Sequence, residues 1–129
     1  VSDLHGNISM YRCNSACGFT SGIPEFLKLL DENEIPTCPD CGGVVRPCTV
    51  LFDESLDDNT YLKAFYEIKA ADLLIAIGSS LLVLPASGLI YEREENCKLA
   101  ILNNSSTPYD KYADYISNEN CGDVLETIM

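Results

Sequence analysis

Four of the seven cysteines stand in two close pairs, Cys13-Asn14-Ser15-Ala16-Cys17 and Cys38-Pro39-Asp40-Cys41. Written as a pattern this is C-x3-C, twenty residues, then C-x2-C. Thiolates at such spacing can reach a single ion, and zinc takes four soft donors at the corners of a tetrahedron. Gly18 follows one pair and Gly42-Gly43 the other. Glycine there lets the chain turn tightly, so that backbone N–H groups face the sulfurs. Zinc on Cys13, Cys17, Cys38 and Cys41 is the reading the spacing favours; disulfides or a redox pair are the other uses of the same residues. Four thiolates leave no open coordination position, so such a metal is structural, and its binding energy becomes folding energy. Cys48, Cys97 and Cys121 lack ligand spacing and are expected to pack as small buried hydrophobes.

Three further features could do chemistry. His5, the single histidine, precedes Gly6 in the turn-rich stretch Ser2-Asp3-Leu4-His5-Gly6-Asn7. An imidazole can act as a general base near neutral pH; read alone, the residue fits an ordinary polar surface position as well. Gly78-Ser79-Ser80 directly follows an apolar run. Small residues and hydroxyls at a strand's carboxyl end suit a ligand's phosphate or ribose, and they also suit a plain turn. Asn103-Asn104 ends the next apolar run, which shifts the balance toward a binding edge. The order is not G-x-G-x-x-G, so the common phosphate fingerprint is absent.

The elements that must position these groups show in the hydrophobic pattern. Ile8-Ser9-Met10-Tyr11 alternates like a short strand after the turn. Pro24 to Leu30 has the spacing of a short helix, with Pro24 in its first turn and Ile35-Pro36 beyond its end. Val44 to Phe52 is a strand candidate interrupted by Pro47. A helix is predicted from Asp57 to Ala71, capped by Asp57 or Asp58. Asp72 to Ile77 and Lys98 to Asn103 read as strands buried on both faces, and Tyr112 to Ser117 as a third strand. Helices are expected over Pro85–Glu95 and Asp123–Met129. Strands alternating with helices predict an α/β fold with a parallel, partial Rossmann-like sheet beside the small cysteine module. The expected division is residues 1–12 for the histidine segment, 13–46 for the cysteine module and 47–129 for the sheet domain.

Composition narrows the function. Eight Lys and Arg against twenty Asp and Glu give a net charge of −12, which opposes binding to a phosphate backbone. No apolar run approaches the roughly 20 residues of a membrane span. Paired cysteines suited to metal point to a reducing, intracellular and specifically cytoplasmic setting. The chain starts at Val1, which leaves a processed and a truncated N-terminus both open.

Taken in order, these pieces resemble the sirtuins, the NAD-dependent protein deacylases. The resemblance runs from Leu4-His5-Gly6 through the cysteine quartet and Arg46-Pro47-Cys48-Thr49-Val50-Leu51-Phe52-Asp53-Glu54. It continues in the stretch from Ala71 to Pro85, which contains Gly78-Ser79-Ser80, and in Leu102-Asn103 with Thr107-Pro108 downstream. It implies that His5 is the general base that activates a ribose hydroxyl. It implies that Val50, Leu51, Phe52, Asp53 and Glu54 bind an acyl-lysine protein or peptide by strand addition. Gly78, Ser79, Ser80, Asn103 and Cys121 match positions that contact NAD, the cosubstrate, and the quartet matches the family's structural zinc. Asp53 stands where the family usually has glycine, and the first cysteine pair has three intervening residues where two are common. The family's Gly-Ala-Gly loop and its Gln-Asn-(Ile/Val)-Asp segment do not occur in these 129 residues. The resemblance therefore implies the C-terminal portion of a deacylase, with an open sheet edge and little or no activity alone. The alternatives are a non-catalytic zinc-bearing relic or interaction module, and a protein ADP-ribosyltransferase.

Overall fold

In the computed structural model, which describes residues 1–32 and 34–128, a turn at Leu4 and His5 leads into β1 (Gly6–Cys13). β1 is the middle strand of an antiparallel sheet, with β2 (Thr20–Gly22) on one side and β3 (Val45–Thr49) on the other. The β1–β3 register breaks between Asn7 and Tyr11. There Asn7 Oδ1 accepts hydrogen bonds from the Ser9 and Met10 N–H groups. α1 (Ile23–Glu32) carries Pro24 and Glu25 in its first turn, where a missing N–H costs nothing and a carboxylate suits the helix dipole. Phe26 of this helix stacks on Tyr11 with ring centroids 3.8 Å apart. Phe19, Phe26 and Leu29 close over a core of Tyr11, Cys13, Cys38 and Val45. This unit spans Val1–Thr60. The expected boundaries at 12 and 46 both fall inside strands, because β1 and β3 are hydrogen-bonded partners in one sheet.

The second unit, Tyr61–Met129, holds the expected parallel sheet. β4 (Leu73–Ile77), β5 (Lys98–Leu102) and β6 (Tyr115–Ser117) lie in that order, all parallel. α2 (Asp58–Lys69) precedes it, capped by Asp57, whose Oδ1 accepts from the Thr60 N–H at 2.8 Å. The core is Ile90, Leu99, Ile101 and Tyr109, with Leu74, Ala76, Leu81 and Ala113 packed against it. Asp114 ties β5 to the segment before β6, accepting from Lys98 Nζ at 2.8 Å and the Leu99 N–H at 2.9 Å. Leu99 is fully buried (0% exposed). Leu99→Ala is expected to cost about 2–5 kcal/mol, read as a lower urea midpoint.

The strand expected over Val44–Phe52 ends at Thr49, because the chain turns beyond Val50, and the structure departs from expectation in four further places. β4 is buried on one face only: Leu73, Ile75 and Ile77 are 54%, 41% and 43% exposed, because the described residues pack only against Leu74 and Ala76. The helix expected over Pro85–Glu95 is a shorter 3₁₀ helix, Ala86–Glu92. Its buried Ser87 and Ile90 stand three residues apart, the period of that tighter coil. The strand expected from Tyr112 starts at Tyr115, since Asp110–Tyr112 forms another 3₁₀ turn. Finally, Cys97 is buried as expected, whereas Cys48 and Cys121 are only half-buried. The last helix, α3, runs Cys121–Ile128; Met129, its expected end, lies outside the described residues.

Candidate functional site

Cys13 ends β1, Cys17 follows in the turn before β2, and Cys38 and Cys41 lie in the loop before β3. All four sulfurs fall within 4.8 Å of one another. Cys13 Sγ lies 3.5 Å from Cys41 Sγ, and Cys17 Sγ lies 3.6 Å from Cys38 Sγ. A tetrahedron with Zn–S bonds of about 2.3 Å has sulfurs about 3.8 Å apart. A disulfide needs about 2.05 Å, and all four thiols are free. The quartet thus has the dimensions of a metal site rather than of two bridges. Gly43 packs closely beside it: a Cβ there would lie 2.3 Å from Ser15 Oγ and 3.0 Å from Cys13 Sγ, so the Ser15 side chain would have to move.

The electrostatics of the quartet show what a cation would relieve. The Ser15 N–H holds the Cys13 thiol down at about 7, with further help from the Cys41 sulfur. At Cys17 the Phe19 N–H pulls downward, but desolvation and the bonds to Cys41, Cys13 and Cys38 outweigh it and push that thiol up to about 12. Cys41 is also raised, the Gly43 N–H being outweighed chiefly by Cys13. Four thiolates cannot crowd together unaided, and a divalent cation removes that conflict.

His5 and the segment Val50–Glu54 meet in the first unit. The Val50 N–H donates to the His5 carbonyl at 2.9 Å, and Gly6 pairs with Thr49. His5 is exposed. Gly6 makes this approach possible: its φ is +68°, and a Cβ would sit 1.8 Å from the Cys48 carbonyl oxygen. Gly6→Ala is expected to cost about 3 kcal/mol or more. Zinc content should hold, since Cys13 pairs with Val45 at the opposite end of this ladder and the other three cysteines lie beyond it, while the Val50 amide loses its hydrogen-exchange protection.

Beyond Val50 the chain makes a tight turn, in which the Glu54 N–H donates to the Leu51 carbonyl at 3.1 Å. Asp53 holds φ at +67°, the left-handed conformation that glycine adopts freely and Asp tolerates. The Leu51 N–H donates to Glu54 Oε2 at 3.0 Å, and Arg46 Nη2 donates to Glu54 Oε1 at 2.6 Å. Leu51 and Arg46 together hold the Glu54 carboxyl below its usual range. Arg46 also donates to the Thr49 carbonyl and to Asn14 Oδ1 between the first two cysteines. Sequence reasoning missed Arg46 as a clamp; its signal was a cation eight residues before the glutamate. Phe52 projects at 96% exposure. A cavity of about 320 Å³ opens nearby, lined among others by Gly6, Arg12, Cys48, Val50 and Glu54.

In the second unit the remaining candidates gather at the carboxyl ends of the parallel strands. Gly78 follows β4 with φ +61°, and its N–H donates to the Leu102 carbonyl at 2.9 Å. Ser79 and Ser80 are exposed, and Ser79 Oγ accepts from the Leu81 N–H. Asn103 follows β5; its N–H donates to the Ser117 carbonyl, and its amide to the Ser105 carbonyl at 2.7 Å. Asn118, absent from the sequence reading, donates to the Asn103 carbonyl at 2.8 Å. Cys121 opens α3 just after β6. Polar groups at this end of a parallel sheet are placed where open α/β sheets bind ligands.

Comparison with known proteins agrees with this layout. The model of the Sir2 family matches residues 1–85. An NAD-dependent protein deacetylase of Clostridium acetobutylicum is 41% identical over 129 residues, which is 100% of this chain and 51% of that protein. Its counterpart from Oceanobacillus iheyensis is 40% identical over 130 residues, covering 99% of this chain and 52% of that protein. Among solved structures, a Sir2–p53 peptide–NAD+ complex has a TM-score of 0.91 at 32% identity, covering 100% of this chain and 54% of its own. Sir2Tm bound to a propionylated peptide has a TM-score of 0.93 at 32% identity, with coverage of 100% and 54%. The chain spans about half the length of the curated relatives it matches.

Proposed function

The chain belongs to the Sir2 family, and from that premise we propose that it forms the C-terminal portion of an NAD-dependent protein-lysine deacylase. The observation that carries this reading is that all of this chain aligns with a deacetylase at 41% identity. In this reading Cys13, Cys17, Cys38 and Cys41 hold a structural zinc ion. Val50 to Glu54, continuing from β3 at the sheet's outer edge, takes the acyl-lysine peptide by strand addition. The Val50 to His5 hydrogen bond makes the general base and this peptide segment one piece, and catalysis gains from such fixed positioning. NAD, once bound, would supply the electrophilic ribose carbon and accept the acyl group. His5 would take a proton from a ribose hydroxyl as a neutral imidazole. Gly78, Ser79, Ser80, Asn103 and Cys121 would hold the cosubstrate at the strand ends.

The exposed apolar face of β4 supports the view that more protein belongs here. Leu73, Ile75 and Ile77 are too apolar to be left uncovered on a strand at the sheet's edge. The missing glycine-rich and Gln-Asn-(Ile/Val)-Asp motifs fit the same reading, as does the expectation that this chain turns over little substrate by itself. The −12 charge argues for peptide rather than nucleic-acid partners. Among the described residues no helix is long and apolar enough to cross a membrane. Seven free thiols suit a reducing, cytoplasmic compartment. The test is a chimera, in which this chain replaces the matching half of the Clostridium acetobutylicum enzyme. NAD-dependent loss of acetyl from a peptide, with nicotinamide release, is expected. A folded chimera that binds NAD yet never deacetylates would overturn the reading, and label moving from NAD to protein with acetyl retained would favour the transferase.

A further inference from the structure

We infer that Asp53 selects acyl-lysine substrates carrying a lysine or arginine beside the acylated residue, an inference that rests on the peptide-binding role of Val50–Glu54. The turn that presents Asp53 is held from several sides. Glu54 bonds the Leu51 N–H and Arg46, and Arg46 is anchored in turn on Thr49 and Asn14. The carboxylates of Glu54, Asp57 and Asp3 are each held by a bonded partner, though only Glu54 has its charge matched. Glu54 is neutralised by Arg46 at 2.6 Å. Asp57 caps α2 through the Thr60 N–H and hydroxyl, and Asp3 accepts from Asn7 Nδ2. The Asp53 carboxylate, by contrast, has no hydrogen bond and no ion pair among the described residues, and it is exposed. Its carboxylate is thus left to meet solvent or a ligand on a preorganised turn, between Phe52 and the clamped Glu54.

The substrate's own chemistry determines what that charge can read. Acylation removes the lysine's positive charge, so an anionic turn gains nothing from the acyl-lysine itself. Any attraction must come from the flanking side chains, which strand addition along Val50–Phe52 would lay beside the turn. A net charge of −12 adds to the same preference at long range. A pair of exposed charges changes affinity by roughly two- to fivefold, and the effect fades in high salt.

The experiment measures binding of two fluorescent Nε-acetyl-lysine peptides to the zinc-loaded chimera, one with arginines and one with glutamates flanking the acetyl-lysine. The wild-type chimera is expected to prefer the arginine peptide about two- to fivefold at low salt, with the preference shrinking at about 0.5 M salt. Asp53→Asn tolerates the same positive φ and is expected to lose most of the preference, the affinity for the arginine peptide falling toward that for the glutamate peptide; Asp53→Gly should behave alike. Equal affinities in the wild type, or a preference that survives both substitutions, would overturn the inference and leave the peptide-binding reading intact. Failure to bind either peptide would overturn that reading, and the inference with it.

Discussion

Cys38→Ser is expected to abolish zinc binding and to unfold the first unit, the largest stability effect of any single substitution in this chain. If the quartet holds zinc as proposed, the metal's share of folding energy is large, because structural zinc in small finger modules contributes about 10–16 kcal/mol of apparent binding energy. The local core cannot replace it. Two of its four buried residues, Cys13 and Cys38, would be ligands themselves on the proposed reading, which leaves Tyr11 and Val45 with the partly buried Phe19, Phe26 and Leu29. Without the ion, moreover, the quartet is a group of thiols in conflict, with Cys13 drawn down and Cys17 driven up. Metal content per chain should fall from one to near zero, and amide protection across β1, β2 and β3 should collapse. The parallel sheet of the second unit has its own core of Leu99, Ile101, Ile90 and Tyr109 and should keep its protection. A conservative exchange separates metal from every other use of these residues. Cys17→His still offers a zinc ligand and is expected to retain metal, whereas Cys17→Ser is not. Unchanged zinc content in Cys38→Ser would sink the assignment.

The gathering of the four cysteines was legible because its constraint is local. Cys13 and Cys17, like Cys38 and Cys41, are close enough in sequence that ligand spacing alone brings each pair together, and Gly43 lets the backbone pass close to Ser15 and Cys13. The parallel sheet was legible for a similar reason, since strand, loop and strand alternate in the chain. Exposure was not legible. The run from Leu73 to Ile77 states what it is fit to bury but not what will cover it, and here one face is bare. Pro47 looked like an interruption, yet β3 continues through it, as an edge strand can. The Arg46–Glu54 clamp escaped notice because it depends on a turn that brings residues eight apart to 2.6 Å. That turn in turn depends on Asp53 accepting a positive φ, which no hydrophobic pattern reports.

His5→Ala is expected to cut deacylation by the chimera about 10²–10⁴-fold, the range that a positioned general base contributes. The loss should fall on the chemical step. His5 meets Val50 through its main-chain carbonyl, not its ring, so removing the imidazole leaves the peptide segment hydrogen-bonded as before. Peptide affinity should therefore change little while kcat falls. The pH profile separates a base from a mere spacer: a base must give up its proton before it can take one, so wild-type activity should show an acid limb that the residual activity of the alanine variant lacks. Gly6→Ala provides the converse case. It leaves the imidazole in place but drives a Cβ to within 1.8 Å of the Cys48 carbonyl, forcing β1 and β3 apart where His5 and Val50 meet. Peptide affinity and kcat should then fall together. If His5→Ala instead raised the peptide's Kd and left kcat intact, the histidine would be a structural part of the turn, and the base would have to be sought elsewhere in the enzyme.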